Sequence, residues 1–336
     1  LQAVPSSGFA FGYWSGDVAG IVDVAEPSVS VEGASARHLT ANFRKGREQY
    51  RFACEMAVSG YEGAETLTNF PVLVRISNAL VNFDYAKCAS GGAGVAFFST
   101  DGTRAYPYEV DTWDPSGESL IWVRLPQVCA DGTKFIFAYH PTAVDSPYPA
   151  RQTWGNAQDG YYAGVWHLGE EIDVEAATAG TAVSVDSAEH DSSLVLNAVP
   201  GKGGNGDYSM MYSTNGVIGR ARQNASANLE GNNHNQWNGN YLSVPSYDSF
   251  GIGGSFTISG WFNQNVGRGY QNFFARGDSA SAKGTVNGWG VFQNINFVNF
   301  PEGWSGTTVF GSGSDSFLNT WRHLVFVADG TNATVY

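Results

Sequence analysis

Two acidic runs in this chain have a spacing that could do chemistry. Glu171, Asp173 and Glu175 form an E-x-D-x-E pattern. On a strand alternate side chains share a face, so all three carboxylates would point one way. Retaining glycoside hydrolysis needs two carboxyls about 5 Å apart, one as nucleophile and one as acid/base. The aromatic flanks of a catalytic strand are absent, however, and the run passes into Ala176-Ala177-Thr178-Ala179-Gly180, which has loop composition. A surface loop is the reading adopted, and no catalytic residue is assigned. Glu109 and Asp111 make a second alternating pair, ahead of an Asp114-Pro115-Ser116-Gly117 turn, and are read as an acidic strand end. Asp186, Glu189, His190 and Asp191 are candidate calcium ligands, because Ca²⁺ takes carboxylate and carbonyl oxygens at short spacing. His190 would serve through its backbone carbonyl, and the plainer alternative is a solvated turn. Asn235, Trp237, Asn238, Tyr270 and Trp304 are candidate ligand-binding residues. Their rings could stack on sugar faces while amides read hydroxyls. Trp261, Trp289 and Trp321 fall in strand-like runs and are assigned to the core.

Other chemistries lack their signatures. The six histidines show no pairing with a cysteine, and no G-x-S-x-G elbow is present. No glycine-rich loop leads into a helix that could cradle phosphate. Cys54, Cys88 and Cys129 have no C-x-x-C spacing, which argues against zinc. One disulfide with one free thiol is compatible with three cysteines, and the pair is left open.

Composition sets the frame. The 336 residues give a prior of about two domains, with three if one is small. The 42 glycines, 14% aromatic and 15% charged residues read as strands punctuated by tight turns. A net charge of −13 repels phosphate backbones and makes nucleic acid a poor partner. No apolar run reaches the length of a membrane-spanning helix. The chain lacks an initial Met and stops at Asn332-Ala333-Thr334-Val335-Tyr336, the look of a strand interior. A piece of a longer chain is expected, with export signals and anchors outside it.

The positioning elements come in three groups. Residues 1–43 hold Gly12-Tyr13-Trp14-Ser15-Gly16-Asp17, followed by strand-like Val29–Val31 and Leu39–Phe43. A charged hinge, 44–48, follows. Residues 49–150 carry strands at Phe70–Ile76, Gly94–Phe98, Tyr106–Val110, Ser119–Leu125 and Lys134–Tyr139, separated by Gly turns, which is β-sandwich spacing. Residues 160–336 open with Ala163–Leu168 and continue with strands at Tyr241–Val244, Phe256–Phe262, Gly288–Phe292 and Trp321–Val327. Residues 200–240 are expected to be long loops. No helix of ordinary length is expected.

Three resemblances sharpen this. Trp14-Ser15-Gly16-Asp17 with the terminal Thr40-Ala41-Asn42-Phe43 resembles part of an internalin-type B repeat of bacterial surface proteins. Residues 49–150 are similar to the bacterial domain of unknown function 2341. That likeness rests on Leu67-Thr68-Asn69-Phe70-Pro71-Val72-Leu73-Val74-Arg75, Tyr106-Pro107-Tyr108-Glu109-Val110-Asp111-Thr112-Trp113 and Gly117-Glu118-Ser119-Leu120-Ile121-Trp122-Val123. One departure is Gly94-Val95-Ala96-Phe97, where that family usually carries Asp-Leu-Arg-Phe. Residues 160–336 resemble a laminin-G-like, concanavalin-A-like domain through Gly164-Val165-Trp166-His167-Leu168, Ser255–Phe262 and Trp321-Arg322-His323-Leu324. Such domains bind sugars or proteins and many hold calcium, and some glycoside hydrolases share the jelly roll.

The expected fold is therefore all-β: a small repeat remnant, a β-sandwich, and a C-terminally incomplete concanavalin-A-like jelly roll. The expected function is a non-catalytic, extracellular or cell-surface, carbohydrate-binding or adhesion module with a glycan partner and possible calcium. A structural spacer, or a glycoside hydrolase or its accessory module, are the alternatives. Fold alone does not choose among them.

Overall fold

The computed structural model describes the 336 residues apart from 22, 34–35, 156–161, 174–175, 189–192, 199–210, 225–239, 246–254, 264–271, 277–288, 293–297, 300–304, 309–318 and 330–331. The described residues are nearly all β, in several mainly antiparallel sheets, with one five-residue α-helix. They divide into two compact units, one of Leu1–Ser209 with Ser226–Ser243, the other of Met210–Ala225 with Val244–Tyr336.

The first unit begins with an antiparallel pair, β1 (Phe9–Gly16) and β2 (Leu39–Lys45). Val29, expected in a strand, instead packs beside Phe11 and Trp14 in a small core with Ala3, Leu39 and Ala41. The strand partner of β2 is the Gly/aromatic run of β1, whose Phe11 is fully buried and whose Trp14 donates through Nε1 to the Glu26 carbonyl at 2.9 Å.

The next strands are β3 (Phe52–Ala57), β4 (Leu67–Ser77), β5 (Val95–Phe98), β6 (Ala105–Tyr106), β7 (Tyr108–Thr112), β8 (Glu118–Val128) and β9 (Lys134–Tyr139), followed by helix α1 (Ala150–Trp154). They form two sheets, ordered β3-β9-β5-β6 and β4-β8-β7. Both sheets feed one core, in which Val74, Ile121, Val123 and Leu125 meet Phe97, Phe135, Phe137 and Tyr139. The Tyr108 hydroxyl of β7 donates to the Val95 carbonyl of β5 at 2.8 Å, tying one sheet to the other inside that core. The run Tyr106–Val110 reads as one strand in sequence but is two. Pro107 separates them, and a residue without an N–H suits the point where a chain changes sheets. β4 begins before the expected Phe70, so Pro71 lies inside it. Pro71 falls on an edge strand, the place in a sheet where proline is tolerated. Cys54, Cys88 and Cys129 are all free thiols.

Strands β5 and β9 are buried on both faces. Phe97 and Phe137 enter the core, while Ala96, Phe98 and Ala138 turn the other way, against Ala10 and Tyr50. The N-terminal pair thus lies on the back of this sheet, which explains why Val95-Ala96-Phe97-Phe98 is apolar without alternation.

Further along are β10 (Ala182–Ser184), β11 (Leu194–Ala198), β12 (Met211–Asn215), β13 (Arg220–Asn224) and β14 (Asn240–Ser243). β10, β11 and β14 pair within the first unit, whereas β12 and β13 form a hairpin of the second, in a stretch expected to be loop. Ala163–Leu168, expected as a strand, forms none.

The second unit continues with β15 (Ser255–Asn263), β16 (Asn272–Arg276), β17 (Trp289–Phe292), β18 (Val298–Asn299), β19 (Ser305–Thr308), β20 (Trp321–Asp329) and β21 (Asn332–Val335). One sheet is ordered β15-β20-β21-β19, another β16-β17-β18. In the first, Leu324, Phe326, Ala328 and Val335 are buried, and the Phe256 ring packs on Phe326 at 5.7 Å.

Candidate functional site

The structure brings together an acidic pair that the sequence marked only as a strand end. On β7, Tyr108 points into the core and Val110 packs against it. Glu109 and Asp111 therefore project from the outer face of the sheet. Trp122 of β8, the register partner of Glu109, lies on the same face. Helix α1 lays Trp154 over this surface, its ring 5.1 Å from that of Trp122.

Into this acidic, aromatic patch comes His167. Its Nε2 lies 3.2 Å from Glu109 Oε2 and its Nδ1 lies 3.6 Å from Asp111 Oδ2. The imidazole stacks near Trp122 at 6.1 Å and 24°, and sits 5.6 Å from Trp154. Glu109 is saturated with donors, since Trp154 Nε1 donates to Oε2 at 2.5 Å and Ser187 Oγ to Oε1 at 2.6 Å. Asp111 accepts from Trp122 Nε1 at 3.3 Å. The side chains of His167, Glu109 and Asp111 keep only 18%, 15% and 12% of their exposure.

The charges shift accordingly. Burial opposes the imidazolium of His167, but the Glu109 hydrogen bond and the charges of Asp111, Glu109 and Glu170 outweigh it and raise the pKa above its ordinary value. Burial likewise opposes the Glu109 carboxylate, yet bonds from His167, Ser187 and Trp154, with the His167 charge, hold its pKa below the ordinary one.

The segment around His167 is held by separate side-chain and backbone bonds rather than by a ladder. Val165 N–H donates to Asp186 Oδ1 at 2.9 Å, Ser187 N–H to the Val165 carbonyl at 2.8 Å, and Leu168 N–H to Ser184 Oγ at 3.2 Å. Asp186 is buried, and the same Oδ1 also takes the Ala188 N–H. Of the candidate calcium ligands, Asp186 thus acts as a backbone clasp, and Glu189, His190 and Asp191 lie outside the described residues. Among the described residues no group of three His, Cys, Asp or Glu side chains is arranged to hold a metal ion. Asn235, Trp237, Asn238, Tyr270 and Trp304 also lie outside the described residues. Glu171 and Asp173 are exposed and off any strand, with Asp173 accepting from Ala176 N–H at 3.2 Å. Glu175 is not among the described residues.

A second arrangement was misassigned by sequence. Trp261, expected in the core, is 44% exposed, and its ring lies 5.1 Å from that of His323, its partner across β15 and β20. The strand burial alternates, with Phe256, Ile258 and Phe262 on the inner face and Thr257, Ser259 and Trp261 on the outer. That alternation was visible in the residues, and it places Trp261 with the hydroxyls.

No curated protein and no solved structure matches the chain. Residues 1–47 match the family model described as a Divergent InlB B-repeat domain, a span that covers β1 and β2.

Proposed function

We propose that the chain is a non-catalytic carbohydrate-binding or adhesion part of a large bacterial surface protein, displayed outside the cell. In this reading the two sheets of residues 49–150 are a β-sandwich, and residues 160–336 belong to a concanavalin-A-like jelly roll. The repeat match at residues 1–47 supports the surface setting. The observation that carries ligand binding is the open Trp261–His323 ring pair, bordered by Thr257, Ser259 and Asn263 on the exposed face of β15. An indole face offers apolar contact to the C–H face of a pyranose, and neighbouring hydroxyls and amides can read its polar edge. With a net charge of −13, a neutral glycan suits the chain better than an anionic one.

The test is a glycan array with the whole chain and with Trp261→Ala, each with and without EDTA. Binding to a neutral glycan that falls at least tenfold in the variant is expected. Chelator sensitivity would add calcium at Asp186, Glu189, His190 and Asp191. Silence on every glycan would overturn the binding reading.

A structural spacer is the second reading, and one observation favours it. The N-terminal pair is joined to the sheet behind it by a shared apolar layer, Ala10, Tyr50, Ala96, Phe98 and Ala138. Such a joint resists bending, which suits a support as well as a binder.

A further inference from the structure

The His167 arrangement does more than fill space. Both ring nitrogens face carboxylate oxygens, Nε2 towards Glu109 at 3.2 Å and Nδ1 towards Asp111 at 3.6 Å. A neutral imidazole carries one N–H and one lone pair, and only the imidazolium has two donors. In the neutral form one lone pair would therefore confront a carboxylate at short range, whichever tautomer is chosen. The flanking Trp122 and Trp154 faces also favour a cation over a neutral ring.

We propose that Glu109, Asp111, Trp122 and Trp154 form a socket that grips His167, and that protonation of this imidazole latches the 162–170 segment onto the two-sheet core. The latch is closed while both nitrogens carry protons and loosens when one is lost. It goes beyond the adhesion reading and does not depend on a ligand.

The surroundings bear on the sign. From β7, Glu109 and Asp111 face the ring, and from its own segment Glu170 adds a third carboxylate field. Arg124 on β8 interacts instead with the Gln152 carbonyl, at 3.4 Å, and with Tyr162. Ser187 and Trp154 spend their protons on Glu109, keeping it an acceptor. The negative field thus favours the charged ring. A group whose folded pKa is raised contributes fully below its unfolded value, about 6.5 for histidine, and that contribution is lost as pH climbs through the folded value. The latch therefore holds in mildly acidic conditions and loosens as pH climbs through the raised folded value.

The experiment uses the whole chain, its Glu109→Gln variant and its His167→Gln variant. Proton NMR titration of the histidines, with His167 assigned by its loss in His167→Gln, gives the midpoint. Hydrogen exchange of residues 162–170, expressed as protection factors, gives the docking. We expect a midpoint above about 6.5 that falls in Glu109→Gln. Protection in the parent should drop about tenfold for each unit by which the midpoint is raised, as pH passes through it. His167→Gln should show no such drop. A His167 midpoint at or below 6.5, or an equal loss of protection in parent and His167→Gln, would overturn the latch. Near-UV circular dichroism identifies any variant that has lost its core, and Asp111→Asn then replaces it in the same comparison.

Discussion

Arg104 Nη1 lies 2.6 Å from Glu26 Oε1, joining residues 78 positions apart across the boundary between the N-terminal pair and the two-sheet core. The same guanidinium reaches Asp23 Oδ2 at 3.6 Å through Nη2. Asp23 is buried and also accepts the Ala25 N–H at 2.8 Å. Removing Arg104 leaves that carboxylate desolvated without its cation, which costs more than the pair itself contributes. Arg104→Ala should lower unfolding stability by about 3 kcal/mol in urea titration. Arg104→Met combined with Asp23→Asn should lose clearly less. Equal losses in both would show that the charge pairing does not hold the joint.

The core should respond to volume. Phe137 is fully buried and touches Phe83, Phe97 and Tyr139 at ring distances of 5.7, 5.3 and 5.4 Å. Phe137→Ala should cost about 3–5 kcal/mol, since the surrounding rings cannot collapse into the gap. Phe70→Ala, at an exposed position of β4, should cost under about 1 kcal/mol. Chemical denaturation of the two variants side by side checks the contrast.

What could be read from sequence follows the range of the signal. Lys134–Tyr139 is a strand with the bounds its residues suggest, because the alternation of Phe135, Phe137 and Tyr139 is local. The run Gly94-Val95-Ala96-Phe97 shows what is not local. A Cβ at Gly94 would sit 2.2 Å from the His140 carbonyl oxygen, and Ala96 lies under Ala10 and Tyr50. Charged residues at these two positions would have no room and no water, but that reason comes from segments far away in the chain. The socket was half legible. The shared face of Glu109 and Asp111 is a matter of period, whereas the approach of His167 closes a loop of 58 residues and leaves no local mark.

Cys88 and Cys54 should be slow to react. Burial, and then the Asp84 charge, push the Cys88 thiol from 9.0 to about 12, and burial raises Cys54. Since the thiolate is the nucleophile, alkylation of Cys88 at pH 8 should run about a thousandfold slower in the folded chain than after unfolding. Mass spectrometry after timed iodoacetamide treatment measures this. With all three thiols free, reducing agent should leave the unfolding midpoint unchanged. A shift on reduction would show a bridge.

Glu109 sets the acid side of the same arrangement. Its folded pKa lies below the ordinary 4.5. A depressed carboxylate contributes stability above its unfolded value, and that contribution disappears as pH falls through the folded one. Stability should therefore decline below about pH 4.5 as the unfolded chain begins to take up the proton first. Glu109→Gln keeps the shape and one acceptor oxygen but cannot hold the charge opposite His167. It should cost about 2 kcal/mol at neutral pH and flatten this part of the acid decline. His167 contributes with the opposite sign at higher pH, so the parent should show its greatest margin over the variant between these two titrations. Urea unfolding across pH 3–9 for parent and variant measures that margin. A difference between them that stays constant with pH would mean that Glu109 acts by packing alone, since only an ionised group can make the gap close at both ends.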